Sequence, residues 1–101
     1  MIFVYFNCKN KEDADVFLKR VFDQKLAAWV DVLKPNSIYI DGNKINKEER
    51  IVLILQTQES KLQALEDAAR ELVKQDMPPA IASFSIYRLN REYKDWLAMK
   101  I

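Results

Sequence analysis

The sequence predicts an α+β fold: a four-stranded antiparallel sheet and two helices in the order β-α-β-β-α-β, closed by a C-terminal helix. Three observations carry the prediction. Two short runs, Ile2 to Phe6 and Ile51 to Leu55, are apolar at every position, as strands covered on both faces are. Two intervening segments repeat apolar residues at helical spacing. Between them, Asp41-Gly42 is the strongest hairpin signal in the chain, because a primed turn needs a positive φ.

The elements follow in order. Ile2 to Phe6 is a buried strand, rich in β-branched and aromatic residues. Asn10 caps the helix that follows, with Asp13 at its third position. Ala14, Phe17, Leu18, Val21 and Phe22 form that helix's apolar face. Leu26 to Leu33 is the second strand, interrupted at Pro35-Asn36 because proline donates no ladder hydrogen bond, and resumed from Ser37 to Ile40. The return strand runs from about Lys44 to Thr57. Ser60 or Thr57 caps the second helix, whose stripe is Leu62, Leu65, Ala69, Leu72 and Val73. Pro78-Pro79 keeps Met77 extended. Ile81 to Tyr87 is the fourth strand, and Asn90 caps a last helix in which Tyr93, Trp96 and Leu97 share a face. This is the split βαβ, or ferredoxin-like, arrangement, in which the first and third strands are central. Those are the two fully apolar runs.

Length and composition set the bounds. A chain of 101 residues, half of them apolar, makes one domain spanning 1–101 that needs no disulfide or metal to fold. Sixteen basic and fifteen acidic residues leave a net charge of +1, so no global field draws the chain to nucleic acid or to an anionic membrane. The absence of histidine removes Ser-His and Cys-His nucleophile pairs and imidazole metal sites. A single cysteine, Cys8, excludes an intrachain disulfide and fits a reducing compartment. The opening apolar run is too short for a signal peptide or a membrane span, so the expected location is cytoplasmic. One glycine rules out Gly-rich phosphate loops.

Both helices pack on one sheet face, yet the central strands are apolar on the other face too. The terminal helix is too small to cover it alone, and the hairpin strands from Ala27 to Thr57 are longer than a monomer of this size needs. An oligomer with sheet faces or hairpins packed across subunits is expected.

The same residues resemble the CutA, or divalent-cation tolerance, family along essentially the whole chain. The similarity includes Met1-Ile2-Phe3-Val4-Tyr5, Lys25-Leu26-Ala27-Ala28, Ser37-Ile38-Tyr39, Lys44-Ile45, Leu53-Ile54-Leu55-Gln56-Thr57, Pro79 and Asn90-x-x-Tyr93-x-x-Trp96-Leu97. The resemblance implies a ferredoxin-like subunit in a homotrimer with interlocked hairpins, a link to tolerance of copper and other divalent cations, a PII-like architecture with intersubunit clefts, and no firm enzymatic activity. Several family positions differ. A cysteine is replaced by Trp29, a tryptophan by Asp41, a glutamate entering the third core strand by Arg50, and a lysine by Gln56. The family's His-Pro-Tyr-x-x-Pro-Glu segment reads Lys74-Gln75-Asp76-Met77-Pro78-Pro79-Ala80. These changes remove imidazole and soft ligands, so divalent-cation binding is expected to be weak or absent and no cofactor is required.

The candidate site residues are few. Cys8 is the only soft metal ligand apart from methionine, and a lone thiolate makes a poor site. Tyr39, Arg50, Tyr93 and Trp96 are candidates for lining an intersubunit cleft, where Arg50 would suit a small ligand or anion; packing is the competing role for the aromatics. Glu12-Asp13-Asp15 offsets a helix dipole, and Glu48-Glu49 looks like solvated ion pairing. Two rival functions use the same fold. An acylphosphatase-type enzyme needs a Gly-rich anion loop with arginine, where this chain has Asn7-Cys8-Lys9-Asn10. An RNA-binding module needs exposed aromatics on the third strand, where Ile51 to Leu55 offers none.

Overall fold

In the computed structural model, which describes residues 1–72 and 78–101, the first strand β1 (Ile2–Cys8) alternates strictly in burial. Ile2, Val4, Phe6 and Cys8 point into a core shared with two helices, while Phe3, Tyr5 and Asn7 are half-buried on the opposite face. The helix α1 (Lys11–Asp23) begins as its sequence dictates: the Asn10 side-chain oxygen accepts from the Asp13 amide at 2.9 Å. Ala14, Phe17 and Val21 are its buried residues. Phe22, expected on the same face, is 52% exposed. At about 100° per residue it lies roughly 110° from the centre of the buried arc.

The end of α1 is a Schellman motif. The Leu26 amide donates to the Val21 carbonyl at 2.8 Å and the Lys25 amide to Phe22 at 3.3 Å, while Lys25 takes φ 52°. This turn buries Leu26 and Ala27, so the second strand starts later than its apolar pattern suggests.

Strand β2 (Trp29–Leu33) pairs with β5 (Ile51–Thr57), β5 with β1, and β1 with β6 (Ala80–Ser85), all antiparallel, in the order β2-β5-β1-β6. The two fully apolar runs are therefore central. The long hairpin differs from expectation: β3 (Asn36–Asp41) and β4 (Lys44–Glu49) form a separate two-stranded sheet. Pro35 cannot donate, which interrupts the ladder, while the Arg50 amide donates to the Pro35 carbonyl at 3.1 Å and keeps the two strands in one register across the gap. At the tip, Gly42 takes φ 63° as first residue of a two-residue loop, the position that a type II′ turn gives to glycine.

The second helix also starts differently. A 3₁₀ turn (Glu59–Lys61) leads into α2 (Leu62–Leu72), with Gln58 at the N-cap and no side-chain cap bond. Thr57 does other work: its hydroxyl donates to the Leu26 carbonyl at 2.7 Å inside the core. Leu65, Ala68 and Ala69 are buried, and Leu62 and Leu72 pack partly against the core. Val73 and Met77, with the expectations attached to them, lie outside the described residues. Strand β6 ends at Ser85, so Ile86 and Tyr87 are not in the strand. The helix α3 (Arg91–Lys100) has Asn90 at its N-cap position, but the Asn90 side chain does not cap the helix; its Nδ2 donates to the Glu92 carboxylate instead.

The hairpin projects. The radius of gyration is 14.5 Å with a longest extent of 47 Å, against about 13 Å for a compact chain of this size. On one hairpin face, Ile38, Ile40 and Ile45 are 64%, 78% and 71% exposed.

Candidate functional site

Arg50 stands where the main sheet hands over to the hairpin. Its side chain is only 12% exposed, and its guanidinium makes three hydrogen bonds. Nε donates to the Asn7 side chain, Nη2 to the Asn7 carbonyl at 3.5 Å, and Nη1 to Glu48 Oε1 at 2.6 Å. The hydrogen bond from Arg50 is the main reason that the Glu48 carboxyl is held below its ordinary value; Tyr39 and Lys9 act in the same direction and desolvation opposes them. Arg50 is therefore a tie between β1, β4 and the start of β5, with three of the five guanidinium N–H donors bonded within the chain. Asn7 was not singled out by sequence; its signal is that it is the first polar residue after the apolar run of β1. Glu48 also does more than the solvated role its neighbours suggest.

Cys8 ends β1 opposite Ile51 and is 3% exposed. Burial pushes its thiol up to about 12, the nearby Asp13 charge adds to this, and Arg50 works against it. A neutral buried thiol is a small core residue, and no group of three or more acidic, cysteine or histidine side chains placed to hold a metal occurs among the described residues. These donors suit copper poorly, because it prefers imidazole or clustered thiolates, and Cys8, with its thiol raised by burial, is the single cysteine of a chain without histidine. Labelling of the native protein by iodoacetamide at pH 8 is expected to run at least about 100-fold slower than in denaturant, since the thiol reacts only as an exposed thiolate. Equal rates would place Cys8 at the surface.

Tyr93 and Trp96 lie elsewhere. The Tyr93 hydroxyl donates to the Gln56 side chain, and its ring stacks on Trp96 with centroids 5.9 Å apart. Trp29 meets both edge-on, at 6.0 and 6.1 Å, and its indole N–H donates to Asp31 at 3.1 Å. Burial and the Asp31 charge raise the Tyr93 hydroxyl above its ordinary value. Lys100 sits over Trp96, 5.8 Å from the ring centre. Trp29 is 45% exposed, so it is a packing residue of this aromatic group and not of the inner core.

The candidates thus form two groups. Arg50 immediately precedes β5 and Gln56 lies six residues on, near its far end, roughly 20 Å of extended chain away. Within the chain Tyr39, Arg50 and Cys8 lie towards one end of the sheet, and Tyr93 and Trp96 at the other.

What links the two ends is the open sheet face. Strand pairing puts Trp29, Gln56, Phe3 and Phe84 in one row across it, and Asp31, Ile54, Tyr5 and Ala82 in the next. Helix α3 meets the first row through the Tyr93–Gln56 hydrogen bond, and its Leu97 is fully buried, yet Phe84 and Leu33 remain 56% and 48% exposed.

A sheet of order β2-β5-β1-β6 with α1 and α2 on one face, an added hairpin and a C-terminal helix defines a ferredoxin-like α+β protein. Within that class the comparison with known sequences is decisive: the profile described as CutA1 divalent ion tolerance protein matches residues 2–100, and the chain belongs to that family. The divalent-cation tolerance protein CutA of Thermococcus kodakarensis is 29% identical over 97 residues, covering 96% of this chain and 92% of the relative. Among solved structures, Pyrococcus horikoshii CutA superposes with a TM-score of 0.89 at 27% identity, covering 99% of this chain and 98% of the other. CutA from Archaeoglobus fulgidus, described as a periplasmic divalent cation tolerance protein, gives 0.88 at 26% identity over 99% and 98% of the two chains.

Proposed function

We propose that this family member is a non-enzymatic homotrimer of the cytoplasm, acting in cation tolerance or PII-like small-ligand signalling through clefts between subunits. The observation that supports it most is unpartnered apolar surface in two places. The hairpin face carrying Ile38, Ile40 and Ile45 stands in solvent, and so does much of the open sheet face around Phe84 and Leu33. Surface of this kind on one subunit is covered by others, and a projecting hairpin is the element that can reach a neighbour. Association would also offer the only route by which the Tyr39–Arg50 end of one subunit meets the Tyr93–Trp96 end of another. The single buried cysteine suits a reducing compartment, although the Archaeoglobus fulgidus relative is described as periplasmic. No helix among the described residues is long and apolar enough to cross a membrane.

In this reading divalent cations bind weakly, through carboxylates alone, because imidazole is absent and the thiol is buried and protonated. Calorimetric titration of the assembled protein with copper(II) in a non-chelating buffer is expected to give no submicromolar site. A submicromolar site that disappears in Cys8→Ser would overturn this part of the proposal and show that thiols from several subunits converge.

A further inference from the structure

Four of the five arginines hold a carboxylate: Arg20 pairs with Glu71, Arg50 with Glu48, Arg70 with Glu66 and Asp67, and Arg91 with Asp95. Arg88 is the one arginine with no acidic partner within 4.0 Å among the described residues. It lines a surface cavity of about 300 Å³ together with Met1, Ile86, Tyr87, Leu89 and Lys94. Lys94 forms no ion pair with the described residues either, and no acidic side chain lines the cavity. The nearest carboxylates along the chain, Glu92 and Asp95, are outside the lining: Glu92 accepts from the Asn90 side-chain amide at 3.1 Å, and Asp95 faces Arg91 at 4.0 Å.

The fold fixes the backbone from which these two exposed cations project. The Ile86 amide donates to the Met1 carbonyl at 3.2 Å, which carries the β1–β6 pairing one step past Ser85 and fixes the cavity's floor at the sheet's end. The chain then passes through residues 87–89 to Asn90. The Lys94 amide donates to the Asn90 carbonyl at 3.0 Å, so Lys94 is fixed one turn inside α3 while Arg88 stands just before it. We infer that this cavity is an anion site that takes a small phosphate-bearing molecule, with Arg88 and Lys94 as its two charged contacts. A guanidinium matches two phosphate oxygens at once and an ammonium adds a point charge, so an Arg-Lys pair suits a dianion better than a single carboxylate. The volume falls at the small end of the range for small-molecule sites. Tyr87, fully exposed at the rim, offers a flat apolar surface to the rest of such a ligand. The inference stands on one subunit and does not depend on the trimer.

Titration of the intact protein with inorganic pyrophosphate, followed by calorimetry at low ionic strength, is the test. Saturable binding is expected. It should weaken about 10-fold in Arg88→Ala or Lys94→Ala, and on the order of 100-fold in the double variant, while the melting temperature of the ligand-free protein stays unchanged. Arg88→Lys should bind better than Arg88→Ala. Absence of saturation, equal affinity for succinate, or pyrophosphate binding that persists in the double variant would each overturn the assignment.

Discussion

Phe17→Ala is expected to lower the melting temperature by roughly 15–30 °C, the consequence of losing about 3–5 kcal/mol from a domain of this size. Phe17 is 1% exposed and its ring lies tilted against Phe6 with centroids 4.6 Å apart, so it joins α1 to β1 at the middle of the core. The surrounding Val4, Leu53, Leu55 and Val21 are at or near complete burial and have little freedom to collapse into the space. Whole-domain stability is on the order of 5–15 kcal/mol, so the variant would be marginal near physiological temperature. Thermal denaturation followed by circular dichroism at matched concentration checks this. A shift of only a few degrees would mean that α1 does not pack on the sheet as described.

Arg50→Met carries the second large effect. It removes a charged donor set while leaving the Asn7 side chain and Glu48 to find other partners, at an expected cost of about 2–3 kcal/mol. The pH dependence gives a separate signature. Glu48 is held below its ordinary value of 4.5 in the folded state, mainly by Arg50. Its contribution is therefore complete above the unfolded value and is lost as pH falls through the lower folded one. Native protein should lose part of its stability in acid below 4.5, and Arg50→Met should lose less over the same interval. Parallel acid profiles in the two proteins would show that the pair carries no stabilisation. The hairpin gives a structural readout as well: without the tie, amide exchange should quicken in β3 and β4 more than in β1.

Element order, the two central strands and the Asn10 cap were all readable because each rests on a local rule: apolar runs, helical spacing, or one side chain reaching its own backbone. The breaks were harder. Pro35 marked an interruption, but that the strands stay in register across it depends on a long-range bond from the Arg50 amide to the Pro35 carbonyl. Thr57 and Asn90 looked like caps; Thr57 is taken by Leu26 across the core and Asn90 by Glu92. Phe22 obeyed the helical pattern but fell at the edge of its arc. The candidate site was legible as residue types and not as a place. Tyr39 with Arg50, and Tyr93 with Trp96, fall at opposite ends of β5, and no local signal tells how far apart two strand ends lie once the chain folds. Asn7, Glu48 and Gln56 became important only through partners 37 to 43 residues away or across the hairpin break.

The central claim is that the hairpin and the open sheet face are covered by other copies of this chain. Light scattering coupled to gel filtration measures that directly. The account predicts a single species at micromolar concentration with three times the 11.9 kDa mass of the chain. A monodisperse peak at 11.9 kDa would contradict it, and would leave Ile38, Ile40 and Ile45 exposed in solution without a partner.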